Sequence, residues 1–248
     1  MSSQHIRRSL DEDLRYITTQ IAAMGGHAER MVEQSVEALT TGDEALARKI
    51  IQNDAVLDGL EREIGERAVE ILARRQPMAG DLREIVGAIR ISGDLERIGD
   101  LGKNIAKRSI IIGEVAQLRR LFVGFAALSD LAMEQLKAVL DAYAAQSVDR
   151  IASVRDRDRE IDAKYTSLFR EMLTCMMEDP ANITPCTHLI FCAKNIERVG
   201  DHATNIAETV YHIMTGEQLP ADRPKEDRSH VVGAASAGNG AEKPDRRS

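Results

Sequence analysis

Two segments of the chain place acidic side chains in the same pattern, 101 residues apart. LERIGDLGKNIA occupies residues 95–106 and IERVGDHATNIA occupies residues 196–207. In each segment a Glu precedes an Asp by four residues and the Asp precedes an Asn by four, so the three side chains share one face of a helix. Two acids at this spacing repel each other by roughly 0.2–0.5 kcal/mol, and the Gly between them costs about 1 kcal/mol relative to Ala. Because both unfavourable features occur twice, we infer that this face has a function.

A metal site is the chemistry that these residue types favour. Oxygen ligands on neighbouring helices suit Mg²⁺, Mn²⁺ or iron, and a Gly lets another group approach the backbone closely. The helices that precede the two segments contribute further acid pairs at four-residue spacing, which would complete each cluster if they faced it. The predicted metal ligands are Glu96, Asp100, Glu197, Asp201, Asp54, Asp58, Asp158 and Asp162.

Amide and guanidinium side chains accompany the acids and leave a second interpretation open. Asn104 and Asn205 would lie beside the ligands and support them. Arg97 and Arg198 could do the same, or they could neutralise the acids without any ion. The alternative to a metal site is therefore a polar contact between two bundles that the duplication reproduces.

Six long helices are predicted to carry these residues, because apolar side chains recur at spacings of three and four. The breaks include Gly42, Pro77, Pro180 and Gly216. A Pro disfavours helical geometry in the residue before it, and a Gly commonly ends a helix. The predicted helices span residues 9–41, 44–75, 80–112, 116–145, 148–178 and 183–215.

The internal repeat divides the chain into two tandem, pseudo-symmetric three-helix bundles, an all-α fold. The first repeat is predicted over residues 1–113 and the second over residues 114–217. Short connections would make successive helices antiparallel neighbours. Residues 218–248 are polar, rich in Gly, Ala and charge, and lack apolar periodicity, so a disordered tail is predicted there.

The composition narrows the classes of partner. A formal net charge of −7 argues against binding to nucleic acid and against simple electrostatic docking on anionic lipid. The first residues contain no apolar signal segment and no apolar run is long enough to span a membrane, so a cytoplasmic protein is predicted. Cys175, Cys186 and Cys192 form no CxxC pair and are predicted to be buried, inert free thiols.

Motifs of common enzyme classes are missing from the sequence. It contains neither GxSxG nor HExxH, no Gly-rich phosphate loop, and no nucleophile with a recognisable His partner. A carboxylate-bridged di-iron oxidase would pair Glu-x-x-His motifs on two helices, whereas Gly stands three residues after both Glu96 and Glu197. The chain is therefore predicted not to be an enzyme. The alternatives are that oxidase and a metal-free structural dimerisation bundle.

Several motifs, in order, resemble the PhoU family of bacterial phosphate regulators. They are HIRRSLDEDL at residues 5–14, RRQPMAGDLR at residues 74–83, the two acidic segments, and MMEDPANI at residues 176–183. The resemblance covers nearly everything except the tail. Such an ordered set is far more specific than one acidic motif.

The resemblance implies metal clusters as well as a fold. In that family, two symmetric three-helix bundles hold multinuclear metal clusters on E(D)xxxD motifs, which here fall on Glu96 with Asp100 and on Glu197 with Asp201. The metal could be iron, manganese, magnesium or zinc. The DLR of residues 81–83 has no counterpart in the second repeat, so the two clusters are expected to differ in occupancy.

The function that the resemblance implies is negative regulation of the phosphate-starvation response and modulation of the phosphate-specific ABC transporter. The implied partners are the ATPase subunit of that transporter and a phosphate-sensing histidine kinase. A cytoplasmic chain would then reach the membrane through its partners. A homodimer is also predicted, because a flat helical face is available for it.

Overall fold

Six α-helices make up the architecture, as predicted. The computed structural model describes residues 2–113, 115–149 and 151–219, without the side chains of residues 2–8, 116, 152, 153 and 155. No β-strand occurs in these ranges, and two short 3₁₀ turns, at Ala116–Leu118 and Pro180–Asn182, precede the fourth and sixth helices. The helices are α1 Ser2–Thr41, α2 Glu44–Arg75, α3 Ala79–Ile112, α4 Arg119–Ala144, α5 Ile151–Glu178 and α6 Ile183–Thr215.

The beginnings of three helices differ from the sequence-based bounds. Helix α1 already begins at Ser2, α4 begins after a 3₁₀ turn, and α5 begins at Ile151. The start of α5 is delayed because Asp149 donates its backbone N–H to the Ser147 hydroxyl, a local bond that competes with helical pairing. Residues 220–248, which hold most of the predicted tail, lie outside the described residues.

Helix ends follow local signals that the sequence contains. Asp43 caps α2 by accepting a hydrogen bond from the Leu46 backbone N–H at 2.9 Å. Gln76 ends the same helix in a left-handed conformation immediately before Pro77. Gly216 ends α6 with a φ of 76°, which a Gly adopts without strain.

Apolar side chains from all six helices form one continuous core. Helices α1, α2 and α3 pack on one another, α4, α5 and α6 do the same, and the two groups meet through α3 with α6 and α1 with α4. Along the first of these contacts Asp94 meets His202 and Arg108 meets His188, so α3 and α6 run antiparallel. Because these helices are equivalent elements of the repeat, a pseudo-two-fold relation follows for the two bundles.

The Gly of each acidic motif makes room for an apolar side chain from the preceding helix. A Cβ at position 99 would overlap Leu57 of α2, and a Cβ at position 200 would lie 2.9 Å from Ile161 Cδ1 of α5. Leu57 and Ile161 are both fully buried and each stands between the two acids of its own helix. The glycines thus let another group approach the backbone closely, as expected, and that group is an apolar side chain of the neighbouring helix.

Gly99→Ala and Gly93→Ala are expected to shift stability in opposite directions. Overpacking against Leu57 should cost about 1–3 kcal/mol, more than the gain in helix propensity of about 1 kcal/mol. A Cβ at position 93 meets nothing within 4 Å, so only the gain applies there. Urea unfolding of both variants measures the difference, and equal shifts would contradict the packing role of Gly99.

Candidate functional site

Lys103 closes the acidic cluster of the first repeat. Its Nζ lies 2.5 Å from Asp54 Oδ2 on α2 and 2.5 Å from Asp100 Oδ1 on α3. Burial opposes the charge of this ammonium, but the hydrogen bonds and charges of Asp100 and Asp54 outweigh burial and raise the pKa of Lys103 above its ordinary value. The two acids therefore already share a cation that belongs to the chain.

Glu96 and Arg97 lie beside this cluster. Arg97 Nε is 3.4 Å from Glu96 Oε2, and Arg97 Nη1 is 3.6 Å from Asp100 Oδ2. The Arg97 side chain is 65% exposed, so water screens both pairs and they stabilise the fold little. Burial, and then the charge of Asp100, raise the pKa of Glu96. In the first repeat, Lys103 and Arg97 thus lie close enough to the acids to offset their charge without an ion, but this contact joins two helices of one bundle and not the two bundles.

The second repeat buries its Glu more deeply. Glu197 on α6 is 4% exposed, and burial raises its pKa to about 7. Lys194 Nζ lies 2.9 Å from Glu197 Oε1, whereas Oε2 has no hydrogen-bond partner within the described part of the chain. The charges of Asp201 and Asp162 raise the pKa further. This repeat therefore holds a buried carboxyl group with one unsatisfied oxygen atom.

Thr204 occupies the position in α6 that Lys103 occupies in α3. Its hydroxyl accepts a hydrogen bond from the Gln135 amide at 3.1 Å and lies 3.2 Å from Asp158 Oδ1, which can accept its proton. Gln135 also donates to the Val154 carbonyl oxygen at 3.0 Å. A hydroxyl and an amide thus stand where the first repeat has an ammonium, so the two clusters differ chemically.

The remaining predicted site residues lie at the margins of the clusters. Asp58, Asn104 and Arg198 are exposed, while Asp201 and Asn205 are half-buried. The structure therefore links Asp54 and Asp100 through Lys103 and brings further acids near Glu96 and Glu197. It does not gather all of the predicted acids and amides around one point in either repeat.

A formed metal site is found in neither cluster. Across the described residues, no three His, Cys, Asp or Glu side chains converge in an arrangement that could hold an ion. The first cluster does not fit a metal, because the Lys103 ammonium stands between two of the predicted ligands. The second cluster fits better, because Glu197 Oε2 is an oxygen donor without a partner in the described structure. Metal binding stays a prediction.

Three polar residues that organise the clusters were not predicted. Lys103 and Lys194 each stand three residues from an acid on the same helix, a spacing that favours ion pairs, so the sequence contained a signal for them. Gln135 is fully buried on α4, and nothing in its sequence surroundings marks it. Its role depends on helices that only the tertiary structure brings together.

The three cysteines are buried free thiols. Burial raises the pKa of Cys186 to about 11 and the pKa of Cys192 to about 12. Arg120 Nη2 lies 3.1 Å from Cys175 Sγ. Since the thiolate is the reactive form, neither Cys186 nor Cys192 is suited to nucleophilic chemistry near neutral pH.

Comparison with known proteins identifies close relatives over most of the chain. The family model described as the PhoU domain matches residues 21–109 and 125–210. A phosphate-specific transport system accessory protein PhoU homolog of Rhizobium meliloti is 58% identical, over 95% of this chain and 100% of its own length. The protein of the same name from Caulobacter vibrioides is 44% identical, over 91% and 98%.

Solved structures agree with these sequence relations. The crystal structure of PhoU from Pseudomonas aeruginosa superposes with a TM-score of 0.76 at 36% identity, covering 84% of this chain and 99% of that one. The phosphate transport system regulatory protein PhoU from Streptococcus pneumoniae gives 0.77 at 25% identity, covering 85% and 99%. Over the described residues, no helix combines the length and apolar character needed to cross a bilayer.

Proposed function

Because this chain belongs to the PhoU domain family, we propose that it regulates phosphate homeostasis as an accessory protein of a phosphate-specific transport system. The observation that carries this proposal is the extent of the relation, since a protein of that name is 58% identical and aligns over its whole length. The absence of enzyme motifs from the sequence supports a role in binding and regulation. In this proposal the protein is not an enzyme.

The proposed mechanism is that of an adaptor. The chain would couple the ATPase subunit of the transporter to a phosphate-sensing histidine kinase, and it would favour one state of the kinase by binding that state more tightly than the other. In the cytoplasm, docking to these partners would bring the chain to the membrane. The long outer faces of the six helices offer the surface, and a homodimer would use part of the same surface.

A divalent or ferric ion is proposed for the second repeat only. Glu197 would supply an oxygen ligand there, and the ion would stabilise the carboxylate that burial disfavours. Elemental analysis of protein purified without a chelator or an affinity-tag metal tests this. Wild type should contain metal and Glu197→Ala should lack it, and equal content in the two would contradict the assignment.

Deleting the gene for this protein is expected to leave starvation genes expressed in phosphate-replete medium. The physical reason is that the kinase loses the partner that favours its repressed state. A reporter fused to a starvation promoter measures the effect, and the wild-type gene supplied on a plasmid is the control. Normal repression in the deletion strain would overturn the proposed function.

A further inference from the structure

A cleft of about 870 Å³ lies where the two repeats meet. Its walls come from α2, α3 and α6, with Glu61 on α2, Arg90 and Gly93 on α3, and Glu208 on α6. This volume falls in the range of functional binding clefts. The mixed origin of the walls means that the cleft exists only when both repeats are assembled.

The pseudo-two-fold relation gives this cleft a counterpart, where charged side chains lie over aromatic rings. Lys194 pairs with Glu197 at 2.9 Å, and its Nζ lies 5.1 Å from the centre of the Tyr165 ring. Arg108 places its guanidinium 4.2 Å from the centre of the Phe191 ring. These contacts tie α3, α5 and α6 together at that face.

The open cleft carries small residues where its counterpart carries large ones. At the 101-residue offset Gly93 corresponds to Lys194, and Thr209 corresponds to Arg108. Gly93 and Thr209 both line the cleft, and a Cβ at position 93 would meet nothing within 4 Å. These two small residues leave room on this face at the positions where the other face has Lys194 and Arg108.

The charge of the lining indicates the chemistry of an occupant. Glu61 and Glu208 have no ion-pair partner in the part of the chain that the structure describes, and Glu96 is a further acid of the wall. A cation that pairs with these acids offsets part of the cost of removing them from water.

Two other classes of occupant fit less well. An apolar ligand would find Leu219 as the only aliphatic side chain among the described lining residues, beside the His212 imidazole. An anion such as inorganic phosphate could reach Arg90 and Arg97, but it would also meet Glu61, Glu208 and two further carboxylates. Arg97 already pairs with neighbouring acids of its own helix.

We propose that this cleft docks a basic segment, rich in Lys and Arg, of a protein partner. The proposal deepens the proposed adaptor function, because it assigns one face of the molecule to one partner. Guanidinium and ammonium groups of the segment would pair with Glu61, Glu96 and Glu208. The counterpart face, which carries its own Lys and Arg, would not compete for that segment.

Gly93→Lys tests the proposal by placing a Lys in the cleft at the position where the other face has one. The new Lys would stand three residues before Glu96, as Lys194 stands before Glu197, and the free space at position 93 accepts it. Gly59→Lys is the matched control, because it adds the same charge at another helical Gly with open space and does not line the cleft. Circular dichroism checks that both variants fold.

The probe is a fluorescein-labelled octalysine peptide, followed by fluorescence anisotropy at low and at physiological salt. Wild type and Gly59→Lys should bind it alike, and Gly93→Lys should bind at least tenfold more weakly. A Glu61→Gln/Glu208→Gln double variant should weaken binding more than a Glu33→Gln/Glu37→Gln variant of exposed α1 acids. Equal affinities for Gly93→Lys and Gly59→Lys would overturn the proposal. Octaglutamate or inorganic phosphate binding more tightly than octalysine would also overturn it.

A second measurement separates this proposal from the proposed function. Purified ATPase subunit and the soluble part of the kinase are each titrated with wild type, Gly93→Lys and Gly59→Lys. If every partner that binds wild type binds Gly93→Lys equally, the cleft proposal fails while the adaptor function stands. If neither partner binds wild type, the adaptor function fails, and the octalysine comparison alone decides for or against a cation-binding cleft.

Discussion

Lys103→Met is expected to lower the free energy of unfolding by about 2 kcal/mol. Removing one partner of a fully buried ion pair leaves an uncompensated charge and costs about 3–5 kcal/mol. We expect a smaller loss of about 2 kcal/mol here, because Asp54 and Asp100 keep some contact with water. Urea unfolding at neutral pH measures the change. Lys107→Met, an exposed position on the same helix, is the control and should change stability by less than about 0.5 kcal/mol.

Lys103→Met also tests our interpretation that the Lys103 ammonium keeps a metal ion out of the first cluster. Without the ammonium, Asp54 and Asp100 become two oxygen donors on neighbouring helices, which suit Mg²⁺ or Mn²⁺. Millimolar MnCl₂ should therefore raise the melting temperature of Lys103→Met by several degrees more than that of wild type. If Mn²⁺ stabilises wild type, and Asp54→Asn abolishes that effect, then the ion displaces Lys103 and our interpretation of the first repeat is wrong.

Glu197→Gln is expected to stabilise the protein at pH 8 after bound metal has been removed with a chelator. The pKa of Glu197 is raised from 4.5 to about 7, so the folded state holds the proton more tightly than the unfolded chain does. Stability from this group is complete below about pH 4.5 and is lost as the pH rises to about 7. A Gln at this position has no charge to bury, so the variant avoids this loss of stability, which amounts to at most about 3 kcal/mol. Part of the gain in stability is offset because Lys194 loses its charged partner.

Urea unfolding of wild type and Glu197→Gln at pH 5 and pH 8 tests the prediction. The stability of the variant relative to wild type should rise between these values, whereas Glu160→Gln, an exposed acid on α5, should show no such change. A variant that is less stable than wild type at pH 8 would instead show that the Glu197 carboxylate contributes to the fold.

The fold follows from local features of the sequence that act over one or two helical turns. Apolar spacing defines the helices, and Gly42, Pro77 and Gly216 mark breaks that the structure also has. The duplication then predicts two equivalent bundles. These features are readable because helix periodicity and chain breaks depend on residues close in sequence. The start of α5 was misplaced because a hydroxyl of the preceding turn competes for backbone N–H groups there.

The contacts within the two acidic clusters depend on which faces of different helices meet. The helix patterns in the sequence do not predict which faces these are. Asp54 and Asp58 looked alike, yet Asp54 pairs with Lys103 and Asp58 is exposed, because four residues turn the helix by 40° and advance it about 6 Å. At the edge of a helix interface, this change of direction and height is enough to move a side chain from contact with the neighbouring helix into water.

By itself, the sequence determined the helices, the repeat, the family and the position of the acidic motifs. Only the tertiary structure decided what the motifs are in contact with. The glycines of the motifs make room for Leu57 and Ile161. In the first cluster the acids pair with Lys103, and in the second Glu197 is buried. The physical reason is that burial and pairing of a charge depend on atoms from distant parts of the chain, and that environment determines whether a carboxylate stays ionised, pairs with a cation or accepts a proton.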